Sequence, residues 1–244
     1  KEVKSRLLKT HSHLSDQNVT IIVISTTGDK IQDKALREFG GKGLFTKEIE
    51  EALQSRKIDV AVHSMKDVPT KLPTGLGIST FLPREDPRDG FLSHLSKSLE
   101  ELPLNSTVGS SSLRRVAQIR NIRPDLRVVD FRGNVNTRIR KLSEGEVGAT
   151  FLACAGLKRL NMADRITSPV PVEKMLPAVA QAVIGCEIRL DDLSTAEILA
   201  PLHHDETAHC VAAERALLAA LDGSCRSPIA GLATLAGEHL SLRA

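Results

Sequence analysis

Six short apolar runs, each bounded by polar or turn-forming residues, indicate β-strands. They cover residues 19–25, 58–64, 76–82, 127–132, 149–154 and 182–189. Several, such as "VTIIVIS" and "IDVAVHS", are continuously apolar rather than alternating. Strands that are buried on both faces have this pattern, so we expect mostly parallel sheets covered by helices.

Helical patterns fall between these runs. In "FTKEIEEALQSR" the apolar residues Phe45, Ile49, Ala52 and Leu53 have helical spacing. The longest helix is expected over residues 205–221, with Asp205 as its N-cap and Gly223 as its C-cap. Alternation of strands and helices predicts an α/β architecture.

Two proline-rich stretches suggest crossings between domains, at residues 82–90 ("LPREDPRDG") and 168–177. They divide the chain into a first domain (1–82 with 183–200), a second (88–177) and a third (205–244). The third part offers one helix and two short strands, too little to bury a core of its own. We therefore expect a small α+β third domain that is incomplete at its C-terminal end.

Composition limits the possible functions. The 244 residues are 41% hydrophobic and 26% charged, with a net charge of only +3, which is ordinary globular composition. The chain has no Tyr and no Trp, the rings that nucleic-acid binders use to stack bases. Four cysteines lie far apart without a Cys-x-x-Cys pair, and no apolar run reaches the ~18 residues of a membrane span. We expect a cytoplasmic protein that binds neither nucleic acid nor membrane.

Residues 110–141 contain eight arginines and only two acidic residues. Arg114 and Arg115 open a helix after "GSSS", and Arg132 ends a strand just before another helix. Free amides at helix N-termini and the planar guanidinium both suit carboxylates and phosphates. We predict an anion site formed by Arg114, Arg115, Arg132 and Arg138. Arg120, Arg123 and Arg140 are interpreted as solvent-facing.

Three other stretches offer candidate chemistry. "VAVHSMKDVP" delivers Ser64, Lys66 and Asp67 at the end of a buried strand, where a carboxylate could stabilise a cation or transfer a proton. "GGKG" lacks the Ser or Thr that follows the lysine of a phosphate loop, so Lys42 is assigned to a flexible lid. Cys225 in "LDGSCRSPIAG" is the one cysteine expected on a loop, and Arg226 beside it favours a thiolate.

A metal site is not predicted. His203, His204, His209 and Cys210 lie close together in the sequence, but His204 and His209 are expected on different faces of a helix.

In this order along the chain, "GGKGLFTKE", "HSMKDVPT", "REDPRDGF", "GSSSLRR", "FRGNVNTRIRKL", "AGLKRL" and "GSCRSPI" resemble the porphobilinogen deaminase family. The resemblance implies three α/β domains, the first two similar to periplasmic binding proteins. It implies an enzyme that joins four porphobilinogen molecules with loss of ammonia, on a dipyrromethane cofactor linked to a loop cysteine. It also implies a monomer.

Site residues are carried over by position. The resemblance assigns the cofactor thioether to Cys225 and catalysis to Asp67. The cofactor and substrate contacts it implies are Ser64, Lys66, Ser110, Ser111, Ser112, Arg114, Arg115, Arg132, Arg138, Arg159 and Gln181.

The sequence departs from the family pattern in three places. The family's opening strand is absent before Lys1, and the third domain stops at Ala244. The usual Gly-Gln-Gly reads Ala180-Gln181-Ala182.

One other function fits the same arginines: a two-lobed module that binds a polycarboxylate without catalysis. Cys225 and Asp67 favour the enzyme, because a passive binder needs neither a tether thiol nor a carboxylate facing anions.

Overall fold

A computed structural model describes residues 1–27, 46–224 and 227–244. The helices are α1 (Glu2–Thr10), α2 (Lys47–Gln54), α3 (Leu113–Ile122), α4 (Val135–Ser143), α5 (Cys154–Arg159), α6 (Leu193–Leu199) and α7 (Asp205–Ala220). The strands are β1 (Ala61–Ser64), β2 (Leu76–Phe81), β3 (Asp89–Ser93), β4 (Thr107–Gly109), β5 (Arg127–Val129), β6 (Ala149–Ala153), β7 (Ser168–Pro169), β8 (Ile184–Arg189), β9 (Leu232–Ala236) and β10 (His239–Arg243).

The first sheet has the strand order β1-β8-β2, with β8 antiparallel to both neighbours. Its central strand is supplied by the returning chain, after the second sheet has been completed. Helices α1 and α6 cover one face through Leu7 and Leu199, which pack with Cys186 and Ile188 of β8. One apolar core therefore holds β8 together with the N-terminal helix α1 and with α6.

The second sheet has the order β5-β4-β6-β3-β7. Strand β4 runs parallel to β5 and β6, whereas β3 runs antiparallel to β6 and β7. Phe91 of β3 and Phe151 of β6 face each other in its core with ring centroids 5.4 Å apart. Both residues are essentially unexposed, so this pair anchors the centre of the sheet.

Helix α7 and the β9-β10 hairpin form the last part of the chain. The helix packs through Val211 and Leu218 on residues of the first sheet and its loops, including Met65 and Val68. His204, and not Asp205, is the N-cap, because its Nδ1 accepts a hydrogen bond from the amide of Thr207. The helix ends at Ala220 with Leu221 as its C-cap, so the C-cap prediction of Gly223 is also wrong.

The mixed α/β fold is confirmed, but the prediction of mostly parallel sheets is wrong for the described strands. Five of the seven strand pairs are antiparallel. Burial on both faces holds for β6 and β8 but not for β1, where Val62 is exposed. Burial on both faces also does not depend on strand direction, which is why the apolar runs did not predict that direction.

The predicted strand at residues 19–25 is also wrong, since no helix or strand is assigned there. Ile21, Ile22 and Val23 are at least half exposed. No helix in the described ranges is long and apolar enough to cross a membrane.

Candidate active site

Asp67 lies on a short 3-10 turn, Met65–Asp67, that follows the carboxyl end of β1. Met65 is buried and its amide donates to the carbonyl of Val183 at 3.0 Å. Within the described part of the chain, no hydrogen bond or ion pair engages the side chains of Lys66 and Asp67, and Asp67 is exposed. The turn therefore presents one cation and one carboxylate without using either to hold the fold.

Arg114 and Arg115 open α3, as predicted, but both point to Asp89 at the start of β3. Nη2 of Arg115 lies 2.7 Å from Oδ1 of Asp89, and Nη2 of Arg114 lies 2.8 Å from Oδ2. Gln181 donates to the same carboxylate at 2.9 Å. All four side chains are buried, so these arginines serve a structural ion cluster. Their role as direct ligands for an anion remains a prediction.

This cluster carries more positive than negative charge. Burial alone would raise the pKa of Asp89, but the charges of Arg115 and Arg114 outweigh that effect and hold the pKa below its ordinary value. One carboxylate faces two guanidinium groups, so one positive charge is left over. Burial lowers the pKa of Arg114, which shows the cost of enclosing that surplus charge.

Arg132 and Arg138 add further positive charge. Arg132 precedes Gly133, whose φ is 118°, a backbone conformation that favours glycine. A Cβ atom at this position would lie 2.6 Å from the side chain of Thr137, so only glycine fits. Arg138 lies on the second turn of α4, and its buried Nε has no hydrogen-bond partner in the described ranges. Burial, followed by repulsion from Arg115 and Arg132, lowers the pKa of Arg138 to about 10. An anion would stabilise a partly buried cation in this state, and the anion site at Arg138 stays a prediction.

Neither α3 nor α4 has an acidic residue in its first turn. Helix N-termini carry partial positive charge, so arginines there add to an unfavourable field that an anion would relieve. Asp130 offsets part of it through a 3.0 Å contact with Nε of Arg132. Burial raises the pKa of Asp130, but hydrogen bonds from Ser111 and Arg132 lower it further than burial raises it.

The three predicted serines shape the loop between β4 and α3. Ser112 caps α3 by accepting from the amide of Arg115, and the amide of Ser112 donates to Oγ of Ser110. Oγ of Ser111 accepts from the amide of Phe131. Their hydroxyls therefore have structural partners, and their contact with a ligand remains a prediction. Ser64 is exposed at the end of β1.

The segment Ala180–Val183, here called the junction segment, contacts both candidate regions. Gln181 donates to the carbonyl of Pro87 and to Asp89 beside the arginines, and Val183 holds the Asp67 turn. Oε1 of Gln181 is buried without a partner in the described ranges. Ala180 and Ala182 have φ values of 57° and 73°, in the left-handed region that favours glycine. The left-handed backbone at these two positions thus explains why the family usually has glycine there.

Arg159 lies at the end of α5 and donates from Nη2 to the carbonyl of Ala182 at 3.0 Å. Its Nε also contacts Glu2 at 3.2 Å. The structure thus brings Arg159 to the junction segment, while its role as an anion ligand remains a prediction. Lys42 and Cys225 lie outside the described residues.

Cys154, Cys186 and Cys210 are buried. Burial raises the pKa of the Cys154 thiol to about 11 and that of Cys186 to about 12. It also raises the pKa of Cys210. Thiols with raised pKa values are weak nucleophiles at neutral pH, which leaves them structural. Cys154 begins α5 and does not lie in a strand as predicted, because β6 ends one residue earlier.

Sequence reasoning missed Asp89, Arg84 and Glu214. Glu214 of α7 is fully buried, contacts Arg84 at 2.6 Å, and accepts from the amides of Ala180 and Ala233. It thereby connects the first crossing, the junction segment and the β9-β10 hairpin. An acid directly before the apolar run "GFL" was the available signal for Asp89.

Two sheets joined by two crossings define the class of two-lobed α/β proteins. A solved structure supports the fold: the periplasmic substrate-binding protein of an ABC transporter from Coxiella burnetii has a TM-score of 0.50 and 13% identity. The superposition covers 85% of this chain and 88% of that one.

The chain belongs to the porphobilinogen deaminase family. The family model "Porphobilinogen deaminase, dipyromethane cofactor binding domain" matches residues 1–197, and the model of the family's C-terminal domain matches residues 208–244. The similarity thus extends over almost the whole chain, as the sequence motifs predicted.

Curated relatives are similar along nearly the same length. The porphobilinogen deaminase of Paracoccus denitrificans is 54% identical over 99% of this chain and 77% of its own length. The chloroplastic porphobilinogen deaminase of Oryza sativa subsp. japonica is 55% identical over 96% of this chain and 65% of its own length. The chain therefore spans between about two thirds and about three quarters of these relatives.

Proposed function

We propose that the protein acts as a hydroxymethylbilane synthase: it joins four porphobilinogen molecules into the linear tetrapyrrole hydroxymethylbilane and releases ammonia. Family membership supports this activity. The observation on this chain that carries the proposal is Arg138, a largely buried guanidinium with an unpartnered Nε and a pKa lowered to about 10. Every pyrrole of such a product bears two carboxylates, and the arginine site needs anions.

The residues fit a covalently attached dipyrromethane at Cys225. Its carboxylates would be held by Arg132 and by Arg138, whose buried Nε has no partner among the described residues. When bound, the cofactor supplies the pyrrole carbon to which the product chain is joined. Arg114 and Arg115 contribute through their field as well as through contact, since Asp89 neutralises only one of them.

Asp67 is the catalytic carboxylate. Loss of ammonia from porphobilinogen leaves a cation delocalised over the pyrrole, and a fixed carboxylate near the pyrrole N–H stabilises that charge. The same oxygen atoms can accept and return a proton. Lys66 beside it supplies a cation for a substrate carboxylate, and Ser64 supplies a hydroxyl. The junction segment supports this arrangement, because Val183 bonds to the Asp67 turn and Gln181 bonds to Asp89 beside the arginines.

The passive binding module is the second candidate, and the family membership of the chain speaks against it. We further propose that the protein is a cytoplasmic monomer that binds neither nucleic acid nor membrane. The Oryza relative is named as chloroplastic, so location is a property to be measured for each member.

The experiment is turnover of porphobilinogen by the full-length protein, followed as ammonia release and tetrapyrrole formation. Arg132→Ala and Arg138→Ala should impair turnover and cofactor retention, since an unpaired buried carboxylate costs about 2–5 kcal/mol. Arg140→Ala is the matched control, because the one ion pair of Arg140 among the described residues is an exposed pair with Glu144, the C-cap residue of its helix. Tight binding of porphobilinogen without ammonia release would favour the passive module.

A further inference from the structure

Helix α7 makes polar contacts with the backbone that follows Asp67. Nη1 of Arg215 donates to the carbonyl of Val68 at 3.0 Å, and Nη2 donates to the carbonyl of Pro69 at 2.6 Å. Val68 and Pro69 are the first two residues after Asp67. One guanidinium thus bridges two successive carbonyls directly beside the proposed catalytic carboxylate.

The Arg215 guanidinium and its two contacts are partly shielded from water. Burial lowers the pKa of Arg215, and the charge of Glu187 opposes that effect only in part. A partly desolvated cation forms stronger hydrogen bonds to carbonyl oxygens than an exposed one. Val68 is buried against Val211 of the same helix, so apolar packing and charged hydrogen bonds hold the same stretch of backbone.

Asp67 itself depends on that backbone for its position. Its side chain is exposed and has no hydrogen bond or ion pair within the described part of the chain. The backbone before it is held by the Met65 amide bonded to Val183. The backbone after it is held by the Val68 amide bonded to the Met65 carbonyl, by packing of Val68 and by the Arg215 bridge. Removing the bridge would take away the only one of these restraints that acts on both the Val68 and the Pro69 carbonyls among the described contacts.

Helix α7 is itself fixed from the opposite direction. Glu214, the neighbour of Arg215, binds Arg84 of the first crossing and the amide of Ala180 in the junction segment. The helix ends at Ala220, and Cys225 follows it in the sequence. The helix therefore connects the junction segment and the Asp67 turn.

We propose that Arg215 is a positioning residue: by bridging the carbonyls of Val68 and Pro69, it fixes the Asp67 carboxylate relative to the helix that leads to the cofactor cysteine. This inference rests on the proposed function. Arg215 acts through the backbone and touches no reacting atom.

The test compares Arg215→Met and Arg215→Lys in full-length protein whose cofactor content has been confirmed by intact mass. Arg215→Met removes both hydrogen bonds, and a displaced catalytic group can cost about 10²-fold in rate. We expect kcat to fall by that order while KM for porphobilinogen and the cofactor mass stay unchanged. Arg215→Lys keeps the charge but lacks the fork that reaches two carbonyls, so it should recover only part of kcat.

Arg123→Met is the matched control. Nη1 of Arg123 also donates to backbone carbonyls, those of Leu99, Glu100 and Leu102, but in the second lobe and away from the Asp67 turn. A purely structural role for Arg215 predicts that both variants lower the melting temperature and leave kcat per loaded molecule unchanged. The positioning role predicts a loss of kcat for Arg215→Met alone.

A kcat within twofold of wild type for loaded Arg215→Met would overturn the inference, as would full recovery by Arg215→Lys. If Arg215→Met does not fold, the Lys variant decides: wild-type kcat contradicts the proposal and a reduced kcat at unchanged KM supports it. Absence of turnover in the wild-type protein would instead contradict the proposed function.

Discussion

Replacing Asp89 by asparagine should destabilise the fold more than any surface change. The carboxylate is fully buried and accepts hydrogen bonds from Arg114, Arg115 and Gln181. Asparagine keeps the shape, but it loses the charge and turns an N–H₂ group toward donors. Breaking a buried ion pair from one side typically costs about 3–5 kcal/mol. Because two cations are left uncompensated, we expect about 4 kcal/mol in the free energy of unfolding.

Urea denaturation and thermal melting of the full-length protein measure this loss. For a chain of this size, 1 kcal/mol corresponds to roughly 2–4 °C, so the melting temperature should fall by roughly 8–16 °C. Glu144→Gln is the control, since it removes an exposed pair with Arg140 whose contribution is typically about 0.3–0.5 kcal/mol. If Asp89→Asn costs no more than Glu144→Gln, the buried cluster does not stabilise the fold as argued.

The same cluster predicts a pH dependence. The pKa of Asp89 is lower in the folded protein than the ordinary value of about 3.9. Its contribution is therefore complete above the unfolded pKa and disappears as the pH falls through the folded pKa. The stability difference between wild type and Asp89→Asn should be constant from neutral pH to about pH 5 and should shrink below about pH 4. A difference that grows in acid would contradict this sign.

Three further outcomes are expected. Asp67→Asn should keep the fold and lose about 10²–10⁴-fold in single-turnover ammonia release, with Asp67→Glu retaining more; release at the wild-type rate would exclude Asp67 as the catalytic carboxylate. In protein prepared without cofactor, Arg138→Met should raise the free energy of unfolding at pH 7 by up to about 3 kcal/mol, because the folded pKa of about 10 lies below the ordinary value. A loss of stability in denaturant melts would refute the argument that the charge of Arg138 destabilises the empty site. The double variant Ala180→Gly/Ala182→Gly should melt like wild type, because relief of left-handed strain offsets the lost methyl groups and the added entropy of the unfolded chain. Ala212→Gly, at an exposed helix position, should cost about 1 kcal/mol in the free energy of unfolding. Equal losses for the two variants would show that Ala180 and Ala182 are not strained.

The order of elements along the chain and the position of several strands were predictable from the sequence, because they depend on local pattern. Strands such as β1, β2 and β8 fall inside the predicted apolar runs. Strands β3 and β4 were missed, since β3 begins with Asp89-Gly90 and β4 has three residues. Strand direction was also beyond the pattern, because a buried strand has the same composition in either direction.

For the candidate site, residue types were predictable and their partners were not. The arginine-rich run was evident, but nothing local indicates that Arg114 and Arg115 bind Asp89, about 25 residues earlier in the chain. The same limit applies to Arg215, which lies in an otherwise ordinary helix and contacts Val68 across the fold. Long-range polar contacts depend on the topology of the fold, and no periodic pattern in a single sequence indicates which residues form them.

Intact mass of the full-length protein is the measurement that tests the central claim most directly. A dipyrromethane held by the arginine site and bound to Cys225 predicts a mass above that of the sequence by two linked pyrrole units. The added mass should map to the peptide containing Cys225, give a colour with Ehrlich's reagent and be absent from Cys225→Ser. An unmodified mass together with a freely titrating Cys225 thiol, in a preparation that turns over porphobilinogen, would contradict the account.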